Sequence, residues 1–160
     1  MPNTPSATAP PAAALPPDDP NRNLTLADPD DPTLRHVSIV GGTYTILVSG
    51  EQTGGRYCLI DMLVPPGGGP PPHRHDFEEM FTILDGEIEL TFRGKAHRAS
   101  AEARLLCMCT PAGQEEFFMS VGDPVASRTA PPPKLSQAEQ AERGQRAKAL
   151  AAKYRTELLV

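Results

Sequence analysis

Two histidines and a glutamate stand close together in the segment Gly67–Gly86, GGGPPPHRHDFEEMFTILDG. His73 and His75 are two residues apart, and Glu79 follows four residues after His75. In an extended strand, residues i and i+2 point to the same face, so both imidazoles can aim at one point. Glu79, arriving on the next turn or strand, adds a carboxylate oxygen. Two neutral imidazoles and one carboxylate suit a divalent first-row metal (Fe, Mn, Ni or Zn), and with open positions they form the usual non-haem iron set. The plainer alternative is a pair of exposed loop histidines after a proline run, with Glu78 and Glu79 on a solvated turn. Glycines in register at both ends of the segment favour the metal reading.

The spacing Gly67, five residues, His73-x-His75, three residues, Glu79, six residues, Gly86 fits the first cupin motif at every defined position. The chain from about Tyr44 to Val121 resembles, in segments, small single-domain bacterial cupins of the quercetin-dioxygenase-like kind. That resemblance implies an all-β fold, a small antiparallel jelly-roll-type β-barrel with a metal in its mouth. The metal would be held by His73, His75 and Glu79, together with a further histidine from a later motif. It also implies chemistry on a small organic molecule, most often dioxygenation, in a superfamily that includes isomerases, lyases and decarboxylases. Homodimers are common among such proteins.

The later motif of the family is Gly, five residues, Pro-x-Gly, two residues, His, three residues, Asn. Nothing between Ser100 and Arg104 supplies it. The chain runs from HRAS directly into AEARLLCMCTPAG, as though about two short strands, on the order of 15–20 residues, were missing at Ala99–Ala103. If the barrel still closes, the metal has three protein ligands and more water-accessible positions; if it stays incomplete, it has exposed strand edges that association between chains would cover. Two residues are candidates for the lost fourth ligand. His97 lies just downstream of the first motif, and Glu116 takes the histidine position of a Pro111-Ala112-Gly113-x-x-Glu116 frame. Water is the third possibility. Thr110-Pro111 also reads as an N-cap and first position of a helix through Gln114–Met119, and that reading is preferred over ligation by Glu116.

The elements that must position these residues are short strands. His36–Val40 is followed by a Gly41-Gly42 turn, and Thr43–Val48 alternates with period two. Arg56–Val64 places Cys58, Ile60, Met62 and Val64 on one face. Pro65–Pro72 ends pairing and delivers the chain to His73. Glu79–Leu84 continues as a strand to the Asp85-Gly86 turn, and Glu87–Phe92 alternates with Ile88, Leu90 and Phe92 inward. Arg93–Lys95 turns into Ala96–Arg98. Residues 36–122 thus form the barrel domain. Residues 123–135 form a Pro-rich linker, and 136–160 a C-terminal helix and tail. A capping box over Ser136–Glu139 opens that helix, which runs to about Arg155. Its i,i+4 pairs are Glu139 with Arg143 and Glu142 with Arg146, and Ala147, Leu150, Ala151, Tyr154 and Leu158 make a narrow apolar stripe. The helix reads as an accessory element docked on its own barrel or on a dimer mate. Residues 1–35, rich in Pro, Ala, Asp and Asn, have the composition of a disordered segment.

The chain has 160 residues, 19 prolines, no tryptophan and a formal net charge of −5. With no Lys/Arg cluster, that balance argues against nucleic acid or an anionic membrane as a partner. No apolar run reaches membrane-spanning length, and the N-terminus lacks the pattern of a signal peptide, so a cytoplasmic location is expected. Cys58, Cys107 and Cys109 form no CxxC pattern and read as reduced core residues. His36 reads as a satisfied structural residue. Arg74 and Asp76 alternate with the ligands, face away from them and receive no chemistry. The expected function is that of a mononuclear metal oxidoreductase. The alternatives are a non-catalytic cupin that binds metal or a small molecule, and a decayed copy without a stable site.

Overall fold

The computed structural model describes residues 17–21, 23–97 and 103–159, without the side chains of 96 and 97. Residues 99–102 of the suspected break, the side chain of His97, and residues 1–16 and 22 of the N-terminal segment lie outside the described residues.

Among the described residues, ten strands and three α-helices follow one another. β1 (His36–Ile39) turns through Val40 and Gly41 into β2 (Gly42–Val48); both turn residues have positive φ, 47° and 82°, the left-handed conformation that a two-residue hairpin needs. Ser49 then caps α1 (Gly50–Thr53) in a complete capping box with Gln52. β3 (Cys58–Val64), β4 (His73–His75) and β5 (Glu78–Asp85) follow. Next come β6 (Leu90–Phe92), β7 (Lys95–His97) and β8 (Ala103–Thr110). The chain ends with α2 (Gln114–Val121), β9 (Asp123–Pro124), α3 (Gln137–Ala151), a 3₁₀ turn at Ala152–Tyr154 and β10 (Thr156–Leu158).

Six strands form one sheet in the order β5-β8-β3-β2-β1-β9. β8 is its hinge, because it pairs with β3 from Cys58↔Cys109 to Val64↔Ala103 and with β5 from Glu78↔Thr110 to Asp85↔Arg104. Val37, Tyr44, Ile60, Leu105 and Cys107 are the centre of the core, and Phe118 of α2 packs its ring 4.9 Å from that of Tyr44. Removal of Ile60 and Leu105 from water contributes about 1.5–3 kcal/mol each. The other face of the sheet is also covered: Thr45 and Asp61 are fully buried, and Asp61 accepts a 2.9 Å hydrogen bond from Arg104.

This is not the all-β closed jelly-roll barrel that the resemblance implies. The sheet is open, with helices packed against it, and the fold is mixed α/β. Among the described residues β5 has β8 as its only neighbour, and β6 and β7 pair only with each other. Closure needs strands beyond β5, and the link from β7 to β8 is too short to hold two of them. The inward alternation read for Glu87–Phe92 also fails in part. Leu90 and Phe92 are exposed, since no layer faces that hairpin among the described residues.

The C-terminal part departs from the linker-plus-helix reading in two places. Asp123–Pro124 pairs with β1, and Arg143 of α3 clasps Asp123 instead of Glu139. Arg146 donates to the Ser120 carbonyl at 3.3 Å. α3 is capped by Ser136 and Glu139 as its sequence indicates, and Tyr154 packs 5.4 Å from Phe117. His36 donates or accepts at Thr45 Oγ1 (2.8 Å) and is a structural residue.

Candidate metal centre

The His-x-His segment stands outside the main sheet. Pro65–Pro72 carries the chain away from β3, and β4 finds its partner at the far end of the chain. β10 pairs antiparallel with β4, Thr156 opposite His75, Glu157 opposite Arg74 and Leu158 opposite His73. Leu159 adds a backbone hydrogen bond to the Pro72 carbonyl at 2.8 Å. The residues that alternate with the histidines do face away, as read, and they lock this pairing. Arg74 donates to Glu157 at 2.6 Å, and Arg155 donates to Asp76 at 2.7 Å. The Arg155 guanidinium holds the Asp76 carboxyl below the usual carboxylate range. The C-terminal tail, read as accessory, is thus the splint of the candidate ligand strand.

Each imidazole is oriented by a backbone carbonyl. His73 Nδ1 lies 2.9 Å from the Pro71 oxygen, and His75 Nδ1 lies 2.9 Å from the Phe77 oxygen. The His75 ring also stacks on Phe77 at 3.9 Å, nearly parallel. With Nδ1–H donating to a carbonyl, the neutral ring presents a bare Nε2 lone pair. His75 Nε2 faces Glu79 Oε2 at 3.2 Å, so two electron-rich atoms confront each other unless a proton or a cation stands between them. The ligand atoms of His73, His75 and Glu79 all lie within 4.8 Å of one another. All three side chains are partly buried. This donor set fits a divalent first-row metal.

Glu79 has a second set of neighbours. Its Oε1 accepts from Cys107 Sγ at 3.4 Å and from Cys109 Sγ at 4.0 Å, and the two sulfurs are 3.6 Å apart. Glu79, Cys107 and Cys109 are likewise mutually within 4.8 Å. The register explains this: Glu79 is directly opposite Cys109, and Phe81 opposite Cys107, so one face of β5 and β8 carries carboxylate and thiols together. The sequence reads Cys107 and Cys109 as reduced core residues, as their burial bears out, but nothing in it sets Glu79 beside them. All three cysteines are free and buried. A hydrogen bond with Cys109, then burial, pushes the Cys58 thiol up; a hydrogen bond with Cys107 does the same for Cys109. Tyr44, also close by, is pushed up to about 12 by burial, with Cys107 and Glu79 adding to it.

Of the two reserve ligands, Glu116 joins neither set, and the side chain of His97 lies outside the described residues. Glu116 is exposed on α2, which begins at Gln114 with Gly113 as its cap instead of Thr110. Its neighbour Glu115 is the buried one. Burial opposes its ionisation, but hydrogen bonds from Cys58 and the N–H groups of Gly50 (2.6 Å) and Gly113 (2.8 Å) hold its carboxyl below the usual range. This contact requires glycine at 50, where a Cβ would lie 2.6 Å from Ala112 Cβ. The backbone of His97 pairs with Leu90 in the β6–β7 hairpin. Two clefts of about 250 and 230 Å³ are lined by Val64, Pro65 and Ile88 and by Thr43, Leu63 and Arg128 respectively, and neither borders the histidines or Glu79.

A family model described as the cupin domain matches residues 60–107, which span β3 to β8 and contain His73, His75, Glu79 and Cys107. A cupin-type domain is present over this part of the chain. No curated protein compared with the chain matches it.

Two outcomes follow from this geometry. Truncation after Arg155 removes β10, and amide exchange at His73–His75, followed by mass spectrometry, accelerates to the rate of an open loop; unchanged protection would show that β4 stands without its splint. Tyr44 titrates near 12 when folded and near 10 when unfolded. Between those values the unfolded chain has lost a proton that the folded one keeps, so the contribution of Tyr44, which adds to that of the raised thiols, is full below pH ~10 and falls as pH rises toward ~12, by at most about 3 kcal/mol. Tyr44→Phe removes that fall in denaturant titrations, and an identical fall in the variant would contradict the assignment.

Proposed function

We propose that this protein is a metal-dependent cupin in which His73, His75 and Glu79 hold one divalent ion and support oxidoreductase chemistry, of the dioxygenase kind, on a small organic molecule. The observation that carries the reading is the convergence of one ring nitrogen from each of two imidazoles and a carboxylate oxygen within 4.8 Å. The ion, bound there, would supply a redox-active or Lewis-acidic centre with open positions. The chain's own contribution is orientation. The Pro71 and Phe77 carbonyls fix the imidazole tautomers, and the Arg74–Glu157 pair holds the strand that carries both rings. No acid or base outside the ligand set is assigned.

A non-catalytic metal-binding role is the second reading. One observation favours it: the two described clefts lie away from the ligands, so the substrate lacks an evident seat beside them. No helix among the described residues is long and apolar enough to cross a membrane. A cytoplasmic setting, where thiols stay reduced, agrees with three free buried cysteines. We also propose a homodimer paired through β5, whose outer edge is unpaired among the described residues and which exposes Met80 and Leu84.

Metal analysis of protein purified without a metal-affinity tag tests the main reading. About one ion of Fe, Mn, Ni or Zn per chain is expected at this site, with occupancy falling by ~10-fold or more in His73→Ala. Equal metal content in wild type and variant would sink the ligand assignment. Bound metal without oxygen consumption across a panel of small phenols, diketones and thiols would leave the non-catalytic reading standing. For the dimer, sedimentation equilibrium at micromolar concentrations should give twice the chain mass, and a monomer throughout would exclude it.

A further inference from the structure

The thiol pair beside Glu79 has no part in the function proposed above, and its geometry is specific. Cys107 and Cys109 are fully buried on one face of β8, 3.6 Å apart at sulfur, with Glu79 Oε1 at 3.4 and 4.0 Å. A tetrahedral ion with metal–sulfur bonds of ~2.3 Å and a metal–oxygen bond of ~2.0 Å needs sulfurs about 3.8 Å apart and sulfur–oxygen distances of about 3.5 Å. The three atoms already stand close to those separations. The carboxylate is a strong acceptor, yet on this side its described partners are thiols, which are weak donors. Small buried hydrophobes would account for two cysteines in a core, but not for a carboxylate turned into them.

We propose that Glu79, Cys107 and Cys109 form a second cation site, selective for thiophilic ions such as Zn²⁺ or Cu⁺, next to the histidine site. Glu79 is shared: Oε2 faces His75 while Oε1 faces the sulfurs, and the carboxylate bridges the two positions. The five residues fall into two separate ligand sets, each with its own mutual 4.8 Å limit, which matches two positions and not one crowded site. Softness sorts the cations, with imidazole and carboxylate on one side and thiolates on the other. Binding exchanges the two thiol protons for the ion. Access runs past Glu79 on the outer strand of the sheet and His75 on β4, whose side chains are 14% and 17% exposed. The inference rests on the metal reading of the histidines only for the sharing of Glu79.

Co²⁺ titration of the full chain under reducing, anaerobic conditions tests it, followed by sulfur-to-metal charge-transfer absorbance and by ion count in native mass spectrometry. The wild type should take up two ions and develop the charge-transfer band. Cys107→Ser/Cys109→Ser should lose that band at least tenfold and retain one ion. His73→Ala/His75→Ala should keep the band within twofold and also retain one ion. Cys58→Ser, altered in the same core but outside the site, should keep the band, which controls for damage to packing; far-UV circular dichroism checks the fold of each variant. A wild type that binds one ion with no charge-transfer band overturns the second site and leaves the histidine site intact. A band that persists in the double cysteine variant overturns it as well. A full band with no ion lost on removal of the histidines defeats the histidine reading alone.

Discussion

Everything near the candidate centre depends on β8 pairing with two strands at once. Its register against β5 sets Glu79 opposite Cys109, and its register against β3 sets Cys58 opposite the same residue. A slip of one residue between β5 and β8 would turn Glu79 to the opposite face of the sheet, away from the thiols. The pairing is held by the fully buried row of Ile60, Leu105 and Cys107 on one face and by the Asp61–Arg104 bond on the other. Core and site are therefore fixed by the same ladder.

The histidines obey a different constraint. β4 is three residues long and lies outside the main sheet, so it has little pairing energy of its own. Its rings gain direction from the Pro71 and Phe77 carbonyls, and its backbone gains a partner in β10. One candidate ligand is thus part of a rigid sheet while the other two ride on a small, separately anchored ribbon. The His75–Phe77 stack and the His75–Glu79 contact join the two parts.

Much of this was legible in the sequence because it depends on local spacing. The period of two in a strand put His73 and His75 on one face, and the Ser136–Glu139 capping box marked the start of α3. Closure of the barrel was not legible in that sense, because it came with the resemblance and is a property of how edges meet. β10 left no signal, since a three-residue strand has too few positions to show alternation and its partner lies about 80 residues earlier. α1 is a single turn that depends on Ser49 and the Glu115 contact with Gly50. Glu116 fitted a motif frame, but the helix puts that position outside and Glu115 inside. Leu90 and Phe92 alternate as an inward face would, yet a pattern of this kind names the side to be covered without supplying the cover.

The pairing of His73–His75 with Thr156–Leu158 also orders events during synthesis. Its partners are separated by about 83 residues, one of the longest separations in the chain. β3, β5 and β8 can assemble from a nascent chain that extends little beyond Thr110, whereas β4 cannot be clamped until Glu157 has left the ribosome. The sheet that carries Glu79 is then built first, and the histidine ribbon is laid against it last. A cation of the surrounding medium meets a half-formed ligand set until Thr156–Leu158 has emerged.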